Sequence, residues 1–117
     1  MRYLSLFTPA PGKEPPTKEY MDRMNNFIEQ SFKSGSLVMT EGLLPITNGG
    51  VRLQSKGGEI AILDGPYAET REAVGGFAIL QANSREELIE LCQSFLRVAG
   101  DGDTRAYQMM QAPPQPA

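Results

Sequence analysis

The chain of 117 residues contains no histidine and only one cysteine, Cys92. Without an imidazole, Ser-His-Asp and Cys-His catalysis, HExxH zinc sites and histidine proton shuttles are excluded. Any acid or base that works at neutral pH must therefore be a carboxylate, a lysine, a tyrosine or Cys92. A lone cysteine cannot form a disulfide within the chain, so nothing in the sequence requires an oxidising compartment.

Long apolar runs and basic clusters are also missing. No stretch approaches the ~20 apolar residues that span a bilayer, and the apolar run at residues 1–7 is too short for a signal-peptide core. The net charge is -3, the pI is near 4.9, and no two of the 11 Lys and Arg residues are adjacent. We therefore expect a cytoplasmic protein that binds neither nucleic acid nor a membrane.

Hydrophobic periodicity and turn signals predict a single domain over residues 1–109, followed by a disordered Pro/Gln-rich tail over 110–117. The predicted elements are a strand at 2–7, a helix at 17–34, a strand at 37–43, a hairpin of 51–55 and 59–64, a strand at 76–82, a helix at 85–98 and a strand at 104–109. A turn is expected at 101–103. This order predicts an α+β, ferredoxin-like fold with two helices on one face of a mostly antiparallel sheet.

Several predicted strands are apolar on both faces, as where Leu4 and Leu6 alternate with Tyr3 and Phe7. Two helices can cover only one side of such a sheet. Because exposed apolar patches of this size are rare on monomers, we expect a homodimer that packs sheet on sheet.

The segment 64–72 is the strongest candidate for a functional site. Residues 59–72 hold four acidic side chains and one basic side chain, so the segment has a net charge of -3, equal to that of the whole protein. Asp64 ends an apolar strand, the next two residues bend the chain, and Tyr67 adds a hydroxyl on a flat ring. Crowded carboxylates in a partly apolar cavity can acquire a pKa suited to acid or base catalysis. The candidate ligand-binding residues here, besides Asp64 as the candidate base, are Gly65, Pro66, Tyr67, Glu69, Arg71 and Glu72.

Spacing alone favours a simpler interpretation, in which Asp64 caps a turn and the charges that follow are solvated. Glu41 and Arg52 are further candidates on neighbouring strands. Arg52 is expected either to bind an anionic group of the ligand or to hold Asp64 ionised; in the alternative interpretation, both residues face outward. No metal site is predicted, because the acidic spacing matches no known loop. Cys92 is predicted to fill the core, and Gly75-Gly76 to allow a close approach of backbones.

A resemblance to a known family rests on the same segment. Asp64-Gly65-Pro66-Tyr67-Ala68-Glu69-Thr70-Arg71-Glu72, followed by Gly75-Gly76-Phe77, resembles the signature of YCII-related proteins of the DGPF subgroup. That signature reads Asp-Gly-Pro-Phe-x-Glu-Thr-Lys-Glu, so the chain departs from it at Tyr67 and Arg71. The strand at 1–7, Glu41-Gly42-Leu43 and Val51-Arg52 agree as well, and the resemblance covers residues 1–109.

The resemblance implies a ferredoxin-like fold that pairs into a dimeric α/β barrel. Some members of the wider family are thought to use a His and an Asp as a catalytic pair, and a few relatives carry out dehalogenation or lactone chemistry on small aromatic-derived rings. Only the aspartate, Asp64, can be carried over to this chain. The resemblance also implies an association of the subgroup with extracytoplasmic-function sigma factors.

Two functional hypotheses follow. In the first, each protomer binds a small metabolite, with Asp64 as base or anchor for lyase or isomerase chemistry, Arg52 holding an anionic group and Tyr67 walling the pocket; no cofactor is expected. In the second, the motif stiffens a loop of a non-catalytic dimeric module with a regulatory or accessory role. The first predicts that Asp64 and Arg52 face one concave pocket.

Overall fold

A computed structural model describes residues 1–12, 14–63 and 74–110. The elements are β1 (Arg2–Pro9), α1 (Lys18–Ser34), β2 (Leu37–Gly42), β3 (Leu53–Lys56), β4 (Glu59–Ile62), β5 (Gly76–Gln81), α2 (Arg85–Ala99) and β6 (Gly102–Gln108). The predicted order of elements is confirmed, and the fold is α+β and ferredoxin-like.

Four strands form an antiparallel sheet in the order β2-β5-β1-β6. β1 and β2 run parallel with β5 between them, and β5 and β6 run parallel with β1 between them. Each helix therefore connects two strands that lie on either side of a third, which is the split βαβ arrangement. Both helices pack on one face of this sheet, as predicted.

Local sequence signals fix the ends of both helices. Thr17 caps α1 by accepting a hydrogen bond from the amide of Tyr20, and Gly35 ends the helix in the left-handed conformation. Ser84 caps α2 by accepting from the amide of Glu87, whose carboxylate accepts from the amide of Asn83. These side chains satisfy amides that have no partner inside a helix.

The predicted boundaries of two strands were wrong. β1 continues past its predicted end at Phe7 to Pro9, and β6 begins at Gly102, inside the expected turn at 101–103, because Pro9 pairs with Gly102. Proline is tolerated at this strand end, where no further ladder amide is needed. The amide of Ala10 then donates to the carbonyl of Asp101, which closes the pairing.

The predicted hairpin forms, but it stands apart from the four-stranded sheet. β3 and β4 pair only with each other, and all eight of their residues are exposed. The described chain contains no closed barrel.

The face of the four-stranded sheet that points away from the helices is covered by no described element. We call it the uncovered face. Strand register places on it the apolar side chains of Leu4, Leu6, Met39, Phe77, Ile79 and Tyr107, together with the charged side chains of Glu41 and Arg105. The sheet, whose strands are apolar on both faces, therefore packs against the helices on one face and is open on the other.

Candidate functional site

A cavity of about 280 Å³ lies between the two helices and the sheet. Its helical walls carry mainly aromatic and aliphatic side chains: Tyr20, Met24, Phe27, Ile28, Leu91, Cys92 and Phe95. Phe95 packs edge-to-face on Phe7 of β1 at a centroid distance of 5.2 Å, and tilted against Phe27 at 6.5 Å. These rings form a rigid apolar wall.

The floor of the cavity is made of small residues on the helix-facing side of the sheet. Ser5, Ala78 and Thr40 lie side by side on three adjacent strands, and Gly76 pairs with Gly42 in the next row. Large side chains at these positions would fill the space beneath the helices. The cavity therefore follows directly from a row of small residues set opposite large rings.

Hydroxyl groups are the main polar atoms along the cavity. Thr40 Oγ1 donates to the carbonyl of Phe77 at 2.8 Å, and Ser31 Oγ donates to the carbonyl of Phe27 at 2.8 Å. Ser5 Oγ shares a hydrogen bond of 2.8 Å with Thr104 Oγ1. Because a hydroxyl has one proton and two lone pairs, the oxygens of Thr40 and Ser31 keep acceptor capacity after donating. The cavity is thus suited to a ligand that donates hydrogen bonds.

Backbone hydrogen bonds of Gly75 hold the chain in place at one end of the cavity. Its amide donates to the carbonyl of Phe7 at 2.7 Å, and its carbonyl accepts from the amide of Leu43 at 3.0 Å. A Cβ at Gly75 would lie 2.8 Å from Pro9 Cδ, and one at Gly76 would lie 3.2 Å from the carbonyl oxygen of Glu41. The close approach predicted for this glycine pair is present.

Few titratable side chains border the cavity within the described residues. Burial raises the pKa of the Cys92 thiol. A thiol with a raised pKa stays protonated at neutral pH and is a poor nucleophile. Cys92 is only half-buried and lines the cavity, so it does not fill the core as predicted. In the described part of the chain, no three His, Cys, Asp or Glu residues lie close enough to hold a metal ion, and neither helix there is long and apolar enough to cross a membrane.

Only two of the predicted site residues fall within the described ranges. Glu41 borders the cavity and is exposed; its pairing with Phe77 places its side chain with the uncovered face. Arg52 is exposed just before β3, where its carbonyl accepts a hydrogen bond from the amide of Leu63, and it is not among the described cavity residues. The predicted motif residues, namely Asp64, Gly65, Pro66, Tyr67, Glu69, Arg71 and Glu72, lie outside the described residues.

The hydroxyl groups of the cavity were not predicted, although the sequence carries a signal for two of them. Ser5 stands between Leu4 and Leu6 in an apolar strand, where it is 7% exposed. Ser31 follows Met24 by seven residues and so continues the apolar stripe of α1. A polar residue at a core position of an otherwise apolar pattern is the signal that could have identified them.

Comparison with protein families gives a match over residues 1–110 to the YCII-related domain. The chain belongs to the YCII-related family. No curated protein matches the chain. A structural comparison finds similarity to 5-chloro-2-hydroxyhydroquinone dehydrochlorinase (TftG) from Burkholderia phenoliruptrix AC1100, solved in complex with 2,5-dihydroxybenzoquinone. That similarity covers 96% of each chain at 14% sequence identity, with a TM-score of 0.48.

Proposed function

We propose that this YCII-related protein binds a small, uncharged, ring-sized molecule with hydroxyl groups, and that it converts this ligand by lyase or isomerase chemistry. The observation that carries the proposal is the cavity between helices and sheet, with aromatic walls and hydroxyl acceptors. Its volume of about 280 Å³ is near the lower end for small-molecule sites, which run from roughly 300 to 1,000 Å³.

The chemistry of the lining supports a neutral ligand. Phe7, Phe27 and Phe95 offer flat apolar surfaces to a ring. Thr40 and Ser31 offer oxygen lone pairs to a ligand hydroxyl. No lysine or arginine is among the described lining residues, so these residues supply no cation to balance a ligand carboxylate, whose burial without a partner is costly. We therefore favour a phenol, or a quinone or lactone that carries a hydroxyl group, over a carboxylate.

Asp64 is the proposed base or anchor. The motif that begins at Asp64 rejoins the described chain at Val74, one residue before Gly75, which borders the cavity. A carboxylate base can remove a proton from a carbon next to a carbonyl; return of the proton elsewhere completes an isomerisation, and departure of a leaving group completes an elimination. A ligand contact by Arg52 or Glu41 stays a prediction for a position outside this cavity, because Arg52 is not among the described lining residues and the Glu41 side chain lies with the uncovered face. DGPF-subgroup membership remains a proposal based on the motif.

We also propose that the protein is a homodimer in which two sheets enclose a barrel. The support is the uncovered face, whose Met39 and Tyr107 side chains are 48% and 52% exposed. Aromatic and aliphatic side chains at such exposure on one sheet face are typical of a contact surface.

The binding proposal is tested by thermal shift with neutral phenols, quinones and lactones, and with carboxylates as the comparison class. A ligand raises the melting temperature in proportion to its occupancy of the folded state. A ligand in the cavity must also slow the reaction of Cys92 with iodoacetamide, because this thiol lines the cavity. No stabilisation and no protection by any of these compounds would contradict the proposal.

Two variants on one helix separate cavity binding from general effects. Ser31→Ala removes a lining hydroxyl and should weaken binding of a hydroxylated ring about 5- to 10-fold, as expected for the loss of one hydrogen bond of ~1 kcal/mol. Gln30→Ala, on an exposed turn of the same helix and outside the described cavity lining, should leave affinity unchanged. Asp64→Asn should abolish turnover. If the wild type binds a ligand but shows no turnover, the accessory role replaces the catalytic one.

A further inference from the structure

The hairpin of β3 and β4 is the part of the described chain with the least support from its own molecule. Its strands are hydrogen-bonded only to each other, and they pack extensively against no other described helix or strand. An isolated two-stranded hairpin is marginally stable in water at best. No described helix or strand of its own chain provides the surface that the hairpin needs in order to be stable.

The two faces of the hairpin differ sharply in polarity. Leu53 pairs with Ile62, and Ser55 pairs with Ile60, so these three aliphatic side chains share one face. The other face carries Gln54, Ala61, Lys56 and Glu59. Leu53, Ile60 and Ile62 are 55%, 70% and 66% exposed, and Val51, just before β3, is 65% exposed. The apolar face of the hairpin, defined by these four aliphatic residues, is thus open to solvent.

We infer that the hairpin is an exchanged arm: its apolar face packs on the uncovered face of a second copy, whose hairpin packs on the first copy in return. The inference rests on the homodimer proposed above and adds a second contact to it: the two sheets face each other, and each arm covers the part of the partner's uncovered face that the opposing sheet leaves open. Every chain carries one apolar arm and one uncovered sheet face. A twofold axis satisfies both surfaces with one self-complementary interface.

The area available agrees with a stable dimer. The four aliphatic side chains of the arm expose on the order of 400 Å² of largely apolar surface. Seating one arm buries a similar area on the receiving sheet, and twofold exchange doubles the sum to about 1,600 Å², the size of a standard stable interface. A second copy therefore supplies enough contact without any additional partner.

The exchange also brings the subunit contact close to the sequence motif. β4 ends at Ile62, and Asp64 follows two residues later in the chain. At its other end the motif rejoins the chain one residue before Gly75, which is bonded to its own sheet. Dimerisation through the arm thus fixes the chain at Ile62, which precedes the motif in sequence, while the protomer's own fold fixes it at Gly75, which follows the motif.

The test compares the dissociation of the full chain and its variants by sedimentation equilibrium. Ile60→Asp places a charge on the apolar face of the arm and should weaken the dimer at least 100-fold. Gln54→Asp places the same charge on the opposite face of the same hairpin and should leave the dimer intact. Because the hairpin contributes nothing to the helix-covered core, both variants should keep the wild-type circular dichroism spectrum.

Cross-linking identifies the receiving surface. In a Cys92→Ala background, a copy with Ile60→Cys is mixed with a copy with Leu6→Cys and treated with a short bismaleimide. A cross-linked heterodimer is expected, and its absence alongside an intact dimer would overturn the exchange. A dimer that Ile60→Asp leaves unchanged would also overturn the arm and keep the homodimer. A monomer at all concentrations would overturn both the arm and the homodimer. The proposal of ligand binding in the cavity is tested separately, by protection of Cys92 from alkylation.

Discussion

Replacing Gly75 by alanine should destabilise the protein, while the same replacement at Gly42 should not. The added Cβ at Gly75 would lie 2.8 Å from Pro9 Cδ and 3.5 Å from the carbonyl oxygen of Phe7. Pro9 cannot move aside easily, because its ring is rigid and its backbone pairs with Gly102. At Gly42 nothing lies within 4 Å of the added atom, and the backbone is not left-handed.

The magnitude combines two opposing effects. Forcing an extra carbon into a packed site costs about 1–3 kcal/mol. Replacing glycine by alanine also restricts the unfolded chain, which stabilises by about 0.4–1 kcal/mol. Gly75→Ala should therefore lose about 1–2 kcal/mol, which lowers the Tm by ~4–8 °C for a chain of this size. Gly42→Ala should change stability between zero and a gain of ~1 kcal/mol.

Urea unfolding followed by circular dichroism measures both variants in the same assay. The decisive quantity is the difference between them, because the effect on the unfolded chain is the same at the two positions. Equal midpoints for Gly75→Ala and Gly42→Ala would refute the reasoning, since they would mean that Pro9 does not confine Gly75. A lower midpoint for Gly42→Ala than for Gly75→Ala would refute it more strongly.

Three further outcomes are expected. Ser84→Ala should cost about 1 kcal/mol in urea unfolding, because the amide of Glu87 loses its capping acceptor. Thr104→Val should destabilise the protein by ~1–3 kcal/mol in the same assay, because the Ser5 hydroxyl loses its side-chain partner and Ser5 is only 7% exposed. Thr104→Ser, which keeps the hydroxyl, should lose much less stability. Since burial raises the pKa of the Cys92 thiol, alkylation of Cys92 at mildly alkaline pH should be slower in the folded protein than in the urea-unfolded chain, and equal rates would contradict this expectation. For the same reason, the free energy of unfolding should fall as the pH rises through the range in which the thiol titrates.

Much of the fold could be predicted because its signals are local. The sequence Lys56-Gly57-Gly58-Glu59 is typical of a hairpin turn, and Gly57 and Gly58 both have positive φ. Ser84 followed by Glu87 is typical of a helix start, and α2 begins there. The detachment of the hairpin could not be predicted in this way. A strand pattern specifies which side chains share a face, but the partner of that face depends on contacts between residues distant in the chain.

The candidate site likewise has features with local sequence signals and features that depend on contacts between residues distant in the chain. The Gly75-Gly76 pair was correctly expected to permit a close approach, because glycines before an apolar strand indicate backbone crowding. The cavity itself depends on Ser5, Ala78 and Thr40 meeting on three adjacent strands that are far apart in sequence. Only strand order and register bring them together, so composition and spacing could not reveal the floor.

The small-residue floor gives this fold a simple way to change its ligand preference. Ala78 sits on a central strand with its neighbours fixed by the ladder, so exchanging it for a larger or smaller side chain alters cavity depth while the strands keep their positions. Such an exchange touches neither the helix caps nor the uncovered face. Selection for a new compound can therefore act on one or two floor positions, and related proteins can diverge in specificity while keeping the same scaffold.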